Sequence, residues 1–192
     1  MHRRIGRFGE LILLGLLCGL IGCANRPIAS HPPQRPGAAP SASHARAQAE
    51  LMSGVEAALR IHLASTDAVV LVAQGVIHVR VVAQALFPAD AVDLSPGADE
   101  VLRPLAFTLA AFPATSVDVR AYTDSLDAGT SARSLTQQRA DSIAAYLSRH
   151  GIASDRIRAL GEGQSRPISE NTDPEGRGAN RRVEIFISAL SS

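Results

Sequence analysis

The chain has 192 residues and a formal charge of +1; hydrophobic residues make up 46% of it, aromatic residues only 4%, and tryptophan is absent. That length suits one domain of ordinary size plus extra segments, with a core built from Ala, Val, Leu and Ile. A charge so close to zero excludes the overall basic footprint of a nucleic-acid-binding protein, so any basic feature is local.

In chain order, the first segment is a targeting signal. "MHRRIGR" supplies Arg3, Arg4 and Arg7, and Leu11 to Leu20 is almost wholly apolar. A positive flank before an apolar run too short to cross a bilayer reads as a secretory signal over 1–22. The run ends in Leu20-Ile21-Gly22-Cys23. This resembles a bacterial lipobox, in which the cysteine is acylated and becomes the first mature residue; an ordinary signal with a chance cysteine is the other reading. Processing removes Cys18 and leaves Cys23 alone, so no disulfide is available in a compartment that permits them. Several acyl chains on one cysteine, at about 0.8 kcal/mol per buried methylene, give firm anchoring. Ala24, rather than Asp, after the cysteine resembles the sorting pattern for the outer membrane.

Residues 23–45 carry the lipid site and a tether. The stretch "ANRPIASHPPQRPGAAPSASHA" has prolines at 27, 32, 33, 36 and 40 and almost no large apolar groups. It buries too little to fold and reads as a proline-stiffened spacer that reaches on the order of 70 Å when extended.

Residues 46–84 are predicted to form a helix and a β-hairpin. Leu51, Val55, Leu59 and Leu63 recur every four residues on one helical face. "AVVLVA" and "VIHVRVV" are two β-branched runs separated by Gln74-Gly75. His78 in the second run reads as an outward side chain, because no second ligand stands at metal spacing.

"LSPGADEVLRPLAFTLAAF" reads as a helix. Ser95 is a good N-cap, Pro96 suits the first position, and Asp99 and Glu100 favour the positive helix end. Val101, Leu105, Leu109 and Phe112 form its apolar row, and Pro104 predicts a kink or a later true start. "VDVRAY" (117–122) alternates as a half-buried strand. Residues 131–149 form another helix, with Leu135, Ile143 and Leu147 inward and Gly151 as its stop. "RIRAL" (156–160) is a short strand, followed by a glycine-rich polar loop. The chain closes on a strand in which Val183, Ile185 and Ile187 alternate with Glu184, Phe186 and Ser188. From Ala85 onward this gives β-α-β-α-β-β, an α/β (α+β) sandwich with helices on one face of the sheet. The upstream hairpin is expected beside that sheet or extending it.

Three stretches carry the chemistry. Thr123 and Asp124 lie just past a strand end. Arg139 sits in the next helix. "NTDPEGRGANRRVEI" loads Arg177, Arg181 and Arg182 onto the entrance of the last strand. Together with Leu86-Phe87, Leu135-Thr136, Arg139-Ala140, Tyr146-Leu147, Gly161-Glu162-Gly163, Pro167, Asn171, Gly176-Arg177 and Asn180-Arg181-Arg182-Val183-Glu184, they resemble the OmpA-like peptidoglycan-binding domain over about 85–188.

The resemblance implies a mixed sheet in a non-catalytic module, residues 85–192. Such a module holds the stem peptide of the cell wall, above all its diaminopimelate. That residue presents an ammonium and a carboxylate on one carbon. In the implied site Asp124 accepts from the ammonium and Arg139 binds the carboxylate with its planar fork. Thr123 adds donors, and Asn180 and Arg181 close the site from the last strand. Arg177 and Arg182 are expected to pin the polar loop to carboxylates such as Asp173 or Glu184, and an Asp124–Arg139 ion pair is possible without ligand. Three positions depart from the family: Ala132 replaces its usual Asn, Ala121-Tyr122 precedes Thr-Asp, and Thr136 replaces Ser. Losing the Asn forgoes a hydrogen bond of about 0.5–1.5 kcal/mol, roughly tenfold in affinity at most.

The reading is then an outer-membrane lipoprotein, facing the periplasm and anchored by lipid on Cys23, that tethers the membrane to peptidoglycan. The alternative is a component of an envelope assembly, of secretion-apparatus or Tol-Pal-like type, with protein partners bound through 46–84; deleting that segment is then expected to spare wall binding. An enzyme is not expected, since no nucleophile–base set and no metal cluster stands in plausible context, and no cofactor is implied. "GEG" at 161–163 reads as a turn, and His150 as a favourable charge at a helix C-terminus.

Overall fold

The computed structural model describes residues 42–124 and 129–190, with side chains for all but 129 and 130. The signal, Cys23 and nearly all of the tether lie outside the described residues. Five strands form one sheet in the order β1-β2-β5-β3-β4. Helix α1 (Ala42–His62) leads into the hairpin β1 (Val69–Ala73) and β2 (Val76–Val82). A single helical turn, α2 (Ala83–Leu86), and a loop follow, then α3 (Asp99–Ala111), β3 (Thr115–Tyr122), α4 (Gly129–Arg149), β4 (Ile157–Gly163), α5 (Pro174–Asn180) and β5 (Arg182–Ala189). Only β3 and β4 run parallel; β1–β2, β2–β5 and β5–β3 are antiparallel. The sheet is mixed, as expected.

Period-two burial explains the layers. Ile77, Val79 and Val81 of β2, Val117 and Val119 of β3, and Val183, Ile185 and Ile187 of β5 are all at most 1% exposed. They form one core with Val55 and Leu59 of α1, Leu102, Leu105 and Leu109 of α3, and Ile143 and Leu147 of α4. The opposite face of the sheet carries His78, Arg80, Asp118, Arg120, Arg182, Glu184 and Phe186. The turn between β1 and β2 has φ of 52° at Gln74 and 77° at Gly75. Two positive values mark a type I′ turn, whose twist suits a two-residue hairpin.

The hairpin extends the sheet, and it does so from inside. β2 pairs with β5 along Ile77 to Val82, so β5 lies in the interior of the sheet with β2 and β3 on its flanks. Residues 46–84 therefore contribute an interior strand and a covering helix to the same core.

Three elements differ from the sequence reading. Gly161-Glu162-Gly163, expected as a turn, is the end of β4 and pairs with Ala121 and Tyr122 of β3. The first strand expected near Leu86-Phe87 is the helical turn α2. Ala83 N donates to Arg181 O (2.9 Å) and Phe87 N to Ala83 O (2.8 Å). Ala-Gln-Ala-Leu is a run of good helix formers, and the turn drives Leu86 into the core at 0% exposure; β2 takes the place of the missing strand. The polar loop before β5 also contains a helix, α5. Asp173 caps it by accepting from Gly176 N (2.7 Å), with Pro174 at its first position. As for Pro104, the α-helix begins only at Asp99, after a tighter turn at Pro96–Ala98 that Ser95 caps, and it runs on through the proline.

Gly161 sets the position of α4. A Cβ there would lie 2.3 Å from Gln137 N and 2.6 Å from Gln137 Cα. Only glycine lets the helix backbone approach β4 this closely, and Arg139 is carried two residues further along the same helix.

Candidate ligand-binding site

A cleft of about 460 Å³ opens at the end of β3. Its walls come from four parts of the chain: Ala83 to Asp90 around α2, Thr123-Asp124 after β3, Leu135 and Arg139 of α4, and Arg181 after α5. The structure therefore brings Thr123, Asp124, Arg139 and Arg181 to one place, although 58 residues separate the first from the last.

Each side chain is held. Thr123 N donates to Gly163 O (2.9 Å), which continues the β3–β4 pairing past the strand end. Asp124 is 3% exposed, and its Oδ2 accepts from Arg181 Nη1. Arg139 is 5% exposed; its Nε donates to Ala91 O (2.8 Å), and its guanidinium lies 5.2 Å from the centre of the Phe87 ring. Ser142, one turn on, donates to Val92 O (2.8 Å). The loop after α2 is thus tied to α4 at two points, and the plane of Arg139 is fixed by a carbonyl and a ring. Asp90 adds a second carboxylate at the cleft wall. It sits at φ 56° in a turn where Ala91 N donates to Pro88 O (3.2 Å), a conformation that Asp tolerates better than most residues.

Asn180 is not among the residues that line this cleft. It is 1% exposed and directed into the loop before α5. Its Oδ1 accepts from Ile168 N (2.8 Å) and Ser169 N (3.1 Å), and its Nδ2 donates to Ser169 O (2.8 Å) and Asn171 Oδ1 (3.0 Å). Four bonds use the full capacity of a carboxamide. Asn180 folds the loop that sets the approach to Arg181; it is a positioning residue here.

The other arginines of this stretch also hold structure. Arg177 donates to a carbonyl, Asn171 O (3.0 Å), rather than to Asp173. Arg182, 2% exposed, donates from Nε to Glu184 Oε1 (2.7 Å) and from Nη2 to Arg166 O (2.9 Å), and stacks 3.9 Å from the Tyr122 ring centre. Burial alone would raise the Glu184 pKa. The His78 imidazole, 3.5 Å from the carboxylate, and the hydrogen bond from Arg182 reverse that and hold it at about 2, below the ordinary 4.5. A carboxylate with a depressed pKa stabilises the fold above its unfolded value, and the contribution fades as pH falls through the folded value. Urea midpoints are therefore expected to drop between about pH 4.5 and 2, and to drop less in Glu184→Gln; an equal drop in both chains would remove this network from the acid response.

The residues that sequence reasoning left without a role are Phe87, Ala91 and Asp90. Phe87 stood in the matched pattern but not as the shelf beneath Arg139. Pro88 and Asp90 together are a turn signal that points to this loop.

In electrostatic terms the cleft sets two guanidiniums, Arg139 and Arg181, against two carboxylates, Asp124 and Asp90, on an apolar wall of Phe87, Pro88 and Leu135. Such a site discriminates between ligands by the spacing of opposite charges, not by net charge. A buried acid, Asp124, with an exposed one, Asp90, beside it and planar guanidinium donors opposite, suits a group that carries both an ammonium and a carboxylate.

Comparison with known proteins agrees on the fold. The sequence profile of the OmpA family matches residues 86–181, half of the chain. "Probable lipoprotein YiaD" of Escherichia coli strain K12 is 40% identical over 104 residues, 54% of this chain and 48% of that protein. "Peptidoglycan-binding protein ArfA" of Mycobacterium tuberculosis strain H37Rv is 39% identical over 102 residues, 53% of this chain and 31% of that one. The chain spans about half or less of the length of these curated relatives. Among solved structures, a MotB-like protein from Desulfovibrio vulgaris superposes with a TM-score of 0.67 at 26% identity, over 77% of this chain and 96% of that one. The cell wall anchor of the T6SS from Pseudomonas aeruginosa superposes with a TM-score of 0.62 at 28% identity, over 69% and 97%. With half its length matched by the family profile, and Thr123, Asp124, Arg139 and Arg181 lying inside the matched span, this chain belongs to the OmpA family.

Proposed function

We propose that the chain is a non-catalytic wall-binding lipoprotein that grips the diaminopimelate of peptidoglycan stem peptides in the cleft between Asp124 and Arg139. The observation that carries this reading is the convergence of Thr123, Asp124, Arg139 and Arg181 on one cleft. Asp124 takes the ammonium, Arg139 takes the carboxylate, and Arg181, paired with Asp124 in the ligand-free chain, moves from neutralising Asp124 to closing over the ligand. A relative named for peptidoglycan binding and a structural neighbour described as a cell wall anchor support it. On this reading Cys23 carries the lipid in the outer membrane, residues 24–41 bridge the periplasm up to the start of α1, and the domain faces the wall. Cosedimentation with purified diaminopimelate-type sacculi tests it: the chain is expected in the pellet and is expected to be released by free diaminopimelate. Retention that free diaminopimelate leaves unchanged argues against the site.

A second reading, a wall anchor built into a larger envelope assembly, is favoured by one observation. The likeness to the T6SS wall anchor covers 69% of this chain, against the half matched by the family profile. The likeness therefore reaches beyond the family's own boundaries.

A further inference from the structure

The two edges of the sheet are finished differently. Helix α4 covers the outer edge of β4. Gln137 Oε1 accepts from Gly161 N (2.8 Å), Gln137 Nε2 donates to Ala159 O (3.2 Å), and Thr136 Oγ1 accepts from Gly163 N (3.0 Å). A carboxamide and a hydroxyl stand where a neighbouring strand would, so this edge is closed to pairing.

β1, at the other edge, has no such cover among the described residues. Ala73 and Val76 flank the two-residue turn, and Ala73, Leu71 and Val69 lie opposite Val76, His78 and Arg80. In an antiparallel hairpin of this kind those three exchange hydrogen bonds with β2, so Val70 and Val72 turn their N–H and C=O groups outward. Among the described residues none hydrogen-bonds to them. The side chains are open as well: Val69 is 50% exposed, Leu71 44% and Val72 44%. The run Val69–Ala73 holds no charge and no proline, the devices that usually keep an edge strand from pairing.

We infer that β1 pairs antiparallel with β1 of a second copy of this chain, joining the two sheets. The geometry also selects the register. Only Val70 and Val72 present outward groups, so all of them are satisfied in a two-fold arrangement only when Val70 faces Val72 of the second copy and the reverse. Leu71 then meets Leu71 of the second copy at the axis, in the close, non-hydrogen-bonded position. Val69 falls opposite Ala73, so apolar groups meet on both faces. Beyond the strand, Asp67 falls opposite Gly75, so no like charges face one another, an arrangement that would oppose pairing. An edge with apolar side chains on both faces asks for a partner strand of the same character, and β1 is such a strand. The contact is isologous and closes on itself as a dimer. It is a short interface, so association is expected to rise with concentration.

Cysteine cross-linking in the full chain tests this, with Cys18 and Cys23 replaced by Ser. Opposed residues at a non-hydrogen-bonded position lie about 4.5 Å apart between Cα atoms, within the range a disulfide spans. Leu71→Cys is expected to give an oxidised dimer several-fold faster than Gln138→Cys, which sits exposed on α4 beyond the covered edge. Adding Val70→Pro, which deletes an outward N–H, or Val72→Lys, which charges the edge, is expected to suppress the dimer; the lysine variant decides the matter if the proline variant proves unfolded by circular dichroism. A Leu71→Cys chain that dimerises no faster than Gln138→Cys, or that is indifferent to Val72→Lys, overturns the inference.

Discussion

Arg139→Lys is expected to lose wall retention nearly as completely as Arg139→Ala, although it keeps the charge. The reason is geometric. Arg139 is fixed by Ala91 O through its Nε and by the Phe87 ring beneath it. Lysine has no planar fork, stacks poorly and has no second nitrogen to divide between a backbone carbonyl and a ligand carboxylate. Truncating one partner of a buried, hydrogen-bonded charge pair costs about 2–5 kcal/mol, or roughly 30-fold and upward in affinity. Asp124→Ala is expected to weaken retention to a similar degree for a different reason. It removes the acceptor for the ligand's ammonium and leaves Arg181 without the carboxylate it now meets. Thermal melts of the three variants separate loss of site from loss of fold: variants that melt near the parent chain and bind sacculi as tightly as it does contradict the assignment.

Removing residues 42–82 is expected to abolish the folded domain, wall binding included. A chain built as a wall-binding module with a detachable partner segment would survive this cut. Here the cut takes away β2, which pairs with β5 over six residues. It also removes Val55, Leu59, Ile77, Val79 and Val81, each at most 1% exposed. At about 1.5–3 kcal/mol for each large apolar side chain taken from the core, the loss is on the order of 10 kcal/mol, comparable to the whole stability of an ordinary domain. The truncated chain is expected to show no cooperative unfolding transition. A truncated chain that melts cooperatively and still cosediments with sacculi would mean that the core is held without β2.

The strands were legible because a half-buried strand has a strict period. Val183, Ile185 and Ile187 declare the core face of β5, and Val117 and Val119 that of β3, whatever else surrounds them. The helices α1, α3 and α4 were legible for the same reason. Short elements were not. Ala83–Leu86 holds one apolar anchor in four residues, and a single anchor has no period; its first N–H is taken up by Arg181 O, which lies far off in the chain. α5 carried its capping signal at Asp173-Pro174, but Gly176 and Gly178 disguised it as loop.

The site shows the same division. Asp124 and Arg139 were found from a sequence resemblance, and the fold sets both on one cleft. The family resemblance implies that Asn180 and Arg181 close the site together. At the end of a helix, successive residues point about 100° apart, so Arg181 reaches the cleft while Asn180 turns inward and spends all four of its hydrogen bonds on the loop from Ile168 to Asn171. The contribution of Phe87 was hidden because a shelf for a guanidinium looks, in sequence, like any other apolar residue.

The central claim is that the acid and the guanidiniums of this cleft grip the two poles of one amino acid. An amide-shift titration of the chain with free diaminopimelate tests it most directly. Saturable shifts are expected at Asp124, Arg139 and Arg181 and along the loop from Phe87 to Ala91, and these shifts are expected to vanish in Asp124→Ala. Shifts that leave these residues still, or that persist unchanged in that variant, contradict the account.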